Sequence, residues 1–131
     1  MQSLIKISDA AVIAVHAIDY MIKKNASVYI ASNMAKELQV SYNHLSKILQ
    51  LLVKHGYLQT MRGPAGGYII TKKGENARIK DIITLLDGDF EKNICFMNTK
   101  ICSRHSCVLK DFLLRTLDDF KKTVNTKIKD F

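Results

Sequence analysis

The sequence predicts a mainly α-helical protein with a small β-wing: a winged helix-turn-helix domain followed by a long C-terminal dimerisation helix. Three observations predict this class. Two short helical segments are joined by a tight connection around Gln39 and Val40. A hairpin with a glycine-rich turn follows them directly. The last segment, 107–131, spaces its apolar residues close to a heptad.

The first three helices are expected at 8–23, 33–38 and 41–55. The first is almost entirely apolar, so it should be buried. Ser32 and Ser41 precede the second and third helices, and serine hydroxyls are good helix caps. Apolar residues recur in the third helix at the spacing of one buried face: Leu45, Ile48, Leu49 and Leu52.

The wing is expected from two strands, 57–62 and 68–71, around the turn residues 63–67. A polar connection at 72–76 and a helix at 78–86 follow, and Gly88 ends that helix. No linker divides the chain, so 1–131 is predicted to be one domain. Its parts are the N-terminal helix with the winged helix (1–72), a helix and cysteine loop (73–106), and the terminal helix (107–131).

The terminal helix carries an amphipathic stripe. A long helix of this kind needs a partner surface, which favours a homodimer, although packing on its own domain remains the alternative. The stripe consists of Leu113, Leu117, Phe120, Val124 and Phe131.

The charge of the chain favours a polyanionic partner. Its 131 residues carry a formal net charge of +8, and a balance this basic suggests nucleic acid, here double-stranded DNA.

The N-terminus lacks the pattern of a secretory signal and no apolar run is long enough to span a bilayer, so a cytoplasmic location without a membrane partner is expected. A Cys-x-x-Cys pair and a glycine-rich phosphate loop are both absent from the sequence, so neither an enzyme nor a small-molecule substrate is expected.

The N-terminal part of the third helix is the candidate DNA-reading segment, because the second helix of such a pair enters the major groove. Asn43 and His44 can hydrogen-bond bases or phosphates, and Lys47 suits a phosphate. Ser41 and Tyr42 lie at the same end. In the wing, Arg62 beside Gly63 can enter a narrow minor groove. A solvent-facing charge for Arg62, and a purely turn-forming role for the glycines, are the alternatives.

Three cysteines form the candidate metal centre. Cys95, Cys102 and Cys107 are separated by six and then four residues, and in a reducing compartment such thiolates are more often ligands than disulfides. Nearby lysines and arginines favour the thiolate form. An iron–sulfur cluster and a zinc site completed by His105 both fit this ligand set.

Residues 45–68 resemble the core of the Rrf-type winged-helix regulators. The resemblance is carried by Leu45-Ser46-Lys47-Ile48-Leu49, by Gly56-Tyr57-Leu58 and above all by the wing from Arg62 to Tyr68. It implies a DNA-binding homodimer with crossed C-terminal helices, and it implies DNA contacts by Ser41 to His44 and by Arg62.

The resemblance also implies an iron–sulfur cluster held by the three cysteines, with 4Fe–4S favoured and 2Fe–2S as the alternative. IscR-like members have a histidine three positions after the last cysteine, where this chain has Lys110. NsrR-like members use an aspartate of the other subunit near the start of the first helix, which matches Asp9; His105 is the second choice as fourth ligand. The closest likeness is thus to the nitric-oxide-sensing, NsrR-like branch.

A repressor is therefore expected, whose DNA affinity changes when nitric oxide, an oxidant or iron supply alters the cluster. Loss of Asp9 as a ligand across the dimer would shift the two recognition helices relative to each other. The alternative is a cluster-free regulator that depends on thiols or zinc.

Overall fold

We describe a computed structural model of the chain over residues 6–64, 66–89 and 103–131. The described part is mainly helical with one two-stranded antiparallel sheet, as predicted. The elements are α1 (Asp9–Lys24), α2 (Ala31–Leu38), α3 (Tyr42–Lys54), β1 (Leu58–Met61), β2 (Gly67–Ile70), α4 (Lys72–Glu75), α5 (Ile79–Asp87), α6 (Val108–Val124) and a 3₁₀-helix (Ile128–Asp130).

The first helix, α1, is the centre of the core. Ser8 caps it, since its hydroxyl accepts a hydrogen bond from the Ala11 N–H at 3.1 Å. Ala14, Ala17 and Ile18 are completely buried, and the helix packs against both α3 and α5. The opposite face is exposed and includes His16, so the predicted burial holds for one face only.

Helices α2 and α3 form the predicted helix-turn-helix pair, with one wrong cap. The N-cap of α2 is Ile30, which makes no side-chain cap, and Ser32 lies exposed within the first turn. Gln39 ends α2 in the left-handed conformation at φ 58°. Ser41 does cap α3 as predicted, because its hydroxyl accepts from the His44 N–H at 3.4 Å.

The wing hairpin pairs Leu58 with Ile70 at its base and Met61 with Gly67 at its tip. The segment before α2 adds a further bridge, because Tyr29 and Tyr68 exchange two backbone hydrogen bonds of 2.8 Å. The hairpin is thereby attached to the helical core instead of projecting from α3 alone.

The predicted polar connection at 72–76 is wrong in part, since it contains the short helix α4. The Thr71 hydroxyl caps this helix by accepting from the Gly74 N–H at 3.1 Å. Gly74 is needed here because a β-carbon would lie 2.3 Å from the carbonyl oxygen of Tyr57. The helix therefore turns the chain closely over the base of the wing.

The C-terminal segment differs from the prediction in length and in packing. Helix α6 ends at Val124, and the chain then returns to the residues just before α5, where the Ile128 N–H donates to the carbonyl oxygen of Ala77 at 2.9 Å. The predicted partner stripe packs largely within the chain, because Leu113, Leu117 and Val124 are at most 5% exposed in the single subunit. Phe131 lies beyond the helix and is 65% exposed.

Candidate nucleic-acid interface and cysteine site

The outer face of α3 carries the side chains predicted to bind DNA. Ser41, Tyr42, Asn43, His44 and Lys47 are all exposed, whereas Leu45 and Ile48 of the same helix are buried as predicted. This division into exposed and buried positions determines which face of α3 points outward, since the apolar face packs against α1 and α2. The structure thus brings the predicted polar residues together at one helix end.

This surface is short of negative charge. Between Asn25 and Gly74 the only acidic residue in the sequence is Glu37, against six lysines and arginines: Lys36, Lys47, Lys54, Arg62, Lys72 and Lys73. Glu37 is itself paired with Lys24 at 3.6 Å. The excess of positive charge that favours a polyanion therefore lies largely in the helix-turn-helix and the wing.

Sequence reasoning missed part of the exposed face of α3. Gln50 and Lys54 continue it by one and two turns beyond Lys47, and both are exposed. Ser32 and Asn33 are also exposed in the first turn of α2. The helical repeat counted from Lys47 is sufficient to predict Gln50 and Lys54. Ser32 and Asn33 were missed because Ser32 was expected to cap α2, whereas the N-cap is Ile30.

The wing tip presents Arg62 to solvent directly after β1. The Gly66 N–H closes the turn by donating to Gly63 at 2.9 Å, and Gly63 has a φ of 110°. A β-carbon on Gly66 would lie 2.3 Å from the Met61 carbonyl oxygen, so both glycines serve the turn. Arg62 is exposed and its side chain has no hydrogen-bond or ion-pair partner within the described residues.

Of the three cysteines, Cys107 alone lies within the described residues. It occupies the N-cap position of α6, is partly exposed, is in no disulfide and makes no side-chain cap. Cys95 and Cys102 lie outside the described residues. His105, the alternative ligand, is exposed.

Asp9 is the first residue of α1, and its exposed carboxylate has no partner within the described ranges. Its neighbour Ser8 donates its backbone N–H to the Asp87 carboxylate at the end of α5, at 2.8 Å. Among the described residues no three His, Cys, Asp or Glu side chains converge as a metal site. The predicted ligands Asp9 and Cys107 are thus available but are not shown together.

The described helices offer no membrane span, because none of them is both long and apolar enough to cross a bilayer.

Solved structures with similar folds are winged-helix regulators. They include CymR, the global cysteine regulator of B. subtilis (20% identity, TM-score 0.77, 95% of this chain and 94% of that one). T. potens IscR also matches (19% identity, TM-score 0.69, 95% of this chain and 84% of that one). These likenesses support the fold.

Sequence relatives point the same way. A protein of Aquifex aeolicus named as an HTH-type transcriptional regulator is 26% identical over 94% of this chain and 88% of its own length. The HTH-type regulator NsrR of Bacillus licheniformis is 31% identical over 69% of this chain, a match that spans 61% of the NsrR length. The family model Rrf2, described as iron-dependent transcriptional regulator, matches residues 7–131. The chain therefore belongs to the Rrf2 family of transcriptional regulators, a class of winged-helix proteins that are not enzymes.

Proposed function

We propose that the chain is a homodimeric repressor that binds DNA through α3 and the Arg62 wing, and that an iron–sulfur cluster on Cys95, Cys102, Cys107 and Asp9 controls its affinity. The observation that carries the DNA interface is the exposed, acid-poor end of α3. Five polar or aromatic side chains project there from a helix whose other face is fixed in the core: Ser41, Tyr42, Asn43, His44 and Lys47.

Each of these groups suits a particular DNA contact. Asn43 and His44, in the first turn of α3, reach base edges when the helix lies in the major groove. Lys47, one turn later, is a point charge for a phosphate. Arg62, free of protein partners in the described structure, is suited to an electronegative minor groove.

A second copy of this chain is the partner proposed for α6. Val108, Leu109 and Phe112 are 78%, 45% and 47% exposed and lie on adjacent positions of the helix surface. They replace the predicted stripe, of which Leu113, Leu117 and Val124 pack within the subunit. Two copies joined there would present two α3 helices, as successive major grooves on one side of DNA require.

The donor chemistry fits a cluster. Cys107 and Asp9 are accessible and make no competing contact in the described part of the chain, and thiolates are the usual ligands of such clusters. When bound, the cluster supplies iron and sulfide that react with nitric oxide or oxidants. The likeness to NsrR supports this signal, and 4Fe–4S is favoured over 2Fe–2S.

Asp9 is the residue through which the control would reach DNA. It is the first residue of α1, and α1 packs against α3. Binding or release of the Asp9 carboxylate would therefore act on α1 and, through it, on the position of α3. A carboxylate is a harder ligand than a thiolate for a soft centre, which makes Asp9 the weakest of the four bonds.

A cluster-free thiol or zinc regulator is the second candidate. The observation that favours it is the place of Cys107, since a partly exposed cysteine at a helix N-terminus is the common setting of a reactive thiol. His105 is exposed two residues before it and is available for zinc.

Iron and acid-labile sulfide per subunit, measured on protein purified without oxygen, separate the candidates. About four of each supports a 4Fe–4S regulator and about two of each a 2Fe–2S one. Neither element, with zinc or free thiols instead, supports the second candidate. For the fourth ligand, Asp9→Ala should shorten the lifetime of the cluster in air, whereas the matched variant His105→Ala should not; equal lifetimes of Asp9→Ala and wild type would exclude Asp9.

A further inference from the structure

A hydrogen-bonded connection joins the end of α5 to the start of α1. The carboxylate of Asp87 accepts the Ser8 backbone N–H at 2.8 Å on one oxygen and the Ser8 hydroxyl on the other. The same hydroxyl accepts the Ala11 N–H in the first turn of α1 at 3.1 Å. Asp87, Ser8 and the first turn of α1 therefore form one continuous chain of hydrogen bonds.

Asp87 stands at the unfavourable end of its own helix. A carboxylate in the last turn of a helix opposes the macrodipole, and the last turn of α5 contains no basic residue to offset it. The same charge is favourable at the N-terminus of α1, to which Asp87 is bonded. A residue that is unfavourable in its own helix but makes a tertiary contact often marks a functional constraint.

The connection lies between the two parts of the proposed switch. After Asp87 the chain continues through Gly88 towards Cys95, and Ser8 directly precedes Asp9. On the other side, α1 packs against α3 along its buried face. A change that begins in the segment after Asp87 can therefore reach α3 through α1.

We propose that Asp87 is a positioning residue. By holding Ser8, it transmits a change at the cysteine ligands to α3, the helix proposed to bind DNA. The signal in this proposal rests on the proposed function, but the contacts from α5 through α1 to α3 do not depend on a cluster. Asp87 acts through Ser8 and is assigned no ligand or DNA contact.

The test compares two carboxylates of one helix. Asp87→Asn weakens the connection, while Asp81→Asn is the matched control, because Asp81 accepts the Arg78 N–H at 3.1 Å at the opposite end of α5. Ser8→Ala and Ser8→Thr provide a second pair, since only threonine keeps the hydroxyl. The readouts are DNA affinity of cluster-loaded and cluster-free protein, and amide hydrogen exchange in α1 and α3.

We expect Asp87→Asn and Ser8→Ala to reduce the ratio of loaded to free DNA affinity about fivefold or more. They should also speed exchange in both α1 and α3. Asp81→Asn and Ser8→Thr should leave the ratio and the exchange of α3 at wild-type values. A wild-type ratio in Asp87→Asn, or faster exchange confined to the first turn of α1, would overturn the proposal.

Failure of the proposed function gives a different result. If wild-type protein contains no iron or sulfide, the cluster is excluded, and the exchange measurement alone decides on Asp87. Faster exchange of α3 in Asp87→Asn but not in Asp81→Asn would then support the connection without the cluster. Equal exchange in the two variants would reject it.

Discussion

The carbonyl oxygen of Tyr29 lies 2.3 Å from the position that a β-carbon on Gly67 would occupy. The approach is this close because Tyr29 pairs with Tyr68, the next residue of β2, and so draws the chain before α2 onto the hairpin. Gly67 is therefore needed where the wing joins the helical core.

We expect Gly67→Ala to lower the free energy of unfolding by about 1–3 kcal/mol, because backbone atoms must move to admit the methyl group. Urea denaturation at neutral pH measures the change. Thr60→Ala is the control, since Thr60 is exposed on β1 opposite Tyr68 and should cost less than about 1 kcal/mol. Equal losses in the two variants would show that the close approach does not limit residue size.

The sequence was sufficient to predict the elements of the winged helix but not their attachment. Ser41 and Gly56 mark the two ends of α3 by local chemistry, a capping hydroxyl and a φ of 84°. The pairing of Tyr29 with Tyr68 depends on contacts between distant residues, which no local pattern contains. The same is true of the close approach of Gly74 to the Tyr57 carbonyl oxygen, which lies in the short helix α4 where the sequence predicts a polar connection.

The terminal helix shows why an amphipathic stripe does not identify its partner. Periodicity favours a second subunit as the partner of Leu113 and Leu117, with their own domain as the alternative, and the structure buries them within their own chain. Periodicity shows that a face is covered, and only the fold shows what covers it. For the site, the polar residues of α3 are exposed at the surface. DNA binding by these residues and by Arg62 stays a prediction, as does cluster binding by Asp9 and the cysteines.

Lys47→Ala should reduce the salt dependence of DNA binding. If Lys47 contacts one phosphate, its loss lowers the slope of log affinity against log salt by about 0.9. Fluorescence anisotropy from low to moderate salt measures the slope. The control is Lys122→Ala, which changes the net charge equally but lies on α6, paired with Asp118 at 3.0 Å. An unchanged slope for Lys47→Ala would remove Lys47 from the phosphate contacts.

Phe112→Arg should convert the proposed homodimer to monomers. The side chain is 47% exposed beside Val108 and Leu109, and burying an unpaired charge in an apolar contact is strongly unfavourable. Analytical ultracentrifugation gives the mass, and we expect weakening of the dimer about a hundredfold or more. Phe131→Arg is the control, because Phe131 is exposed but lies beyond α6. A dimer of wild-type strength in Phe112→Arg would place the interface elsewhere.

Tyr57 should make the fold sensitive to alkaline pH. Burial raises the pKa of its hydroxyl above the ordinary value, and the negative charge of Asp81 raises the pKa further. Near neutral pH the hydroxyl is protonated in both the folded and the unfolded chain, so its titration contributes nothing to the pH dependence. Once the pH exceeds about 10 the unfolded chain loses this proton more readily than the folded one, and stability falls as the pH rises further.

Tyr57→Phe tests this effect, because it removes the hydroxyl but keeps the ring that Lys73 covers at 4.5 Å. We expect wild type to lose more stability than Tyr57→Phe between pH 9 and pH 11, measured by urea denaturation at each pH. All other titratable groups are the same in the two proteins, so the difference between the two curves isolates Tyr57. Parallel curves would mean that the Tyr57 hydroxyl ionises equally well in the folded and unfolded states.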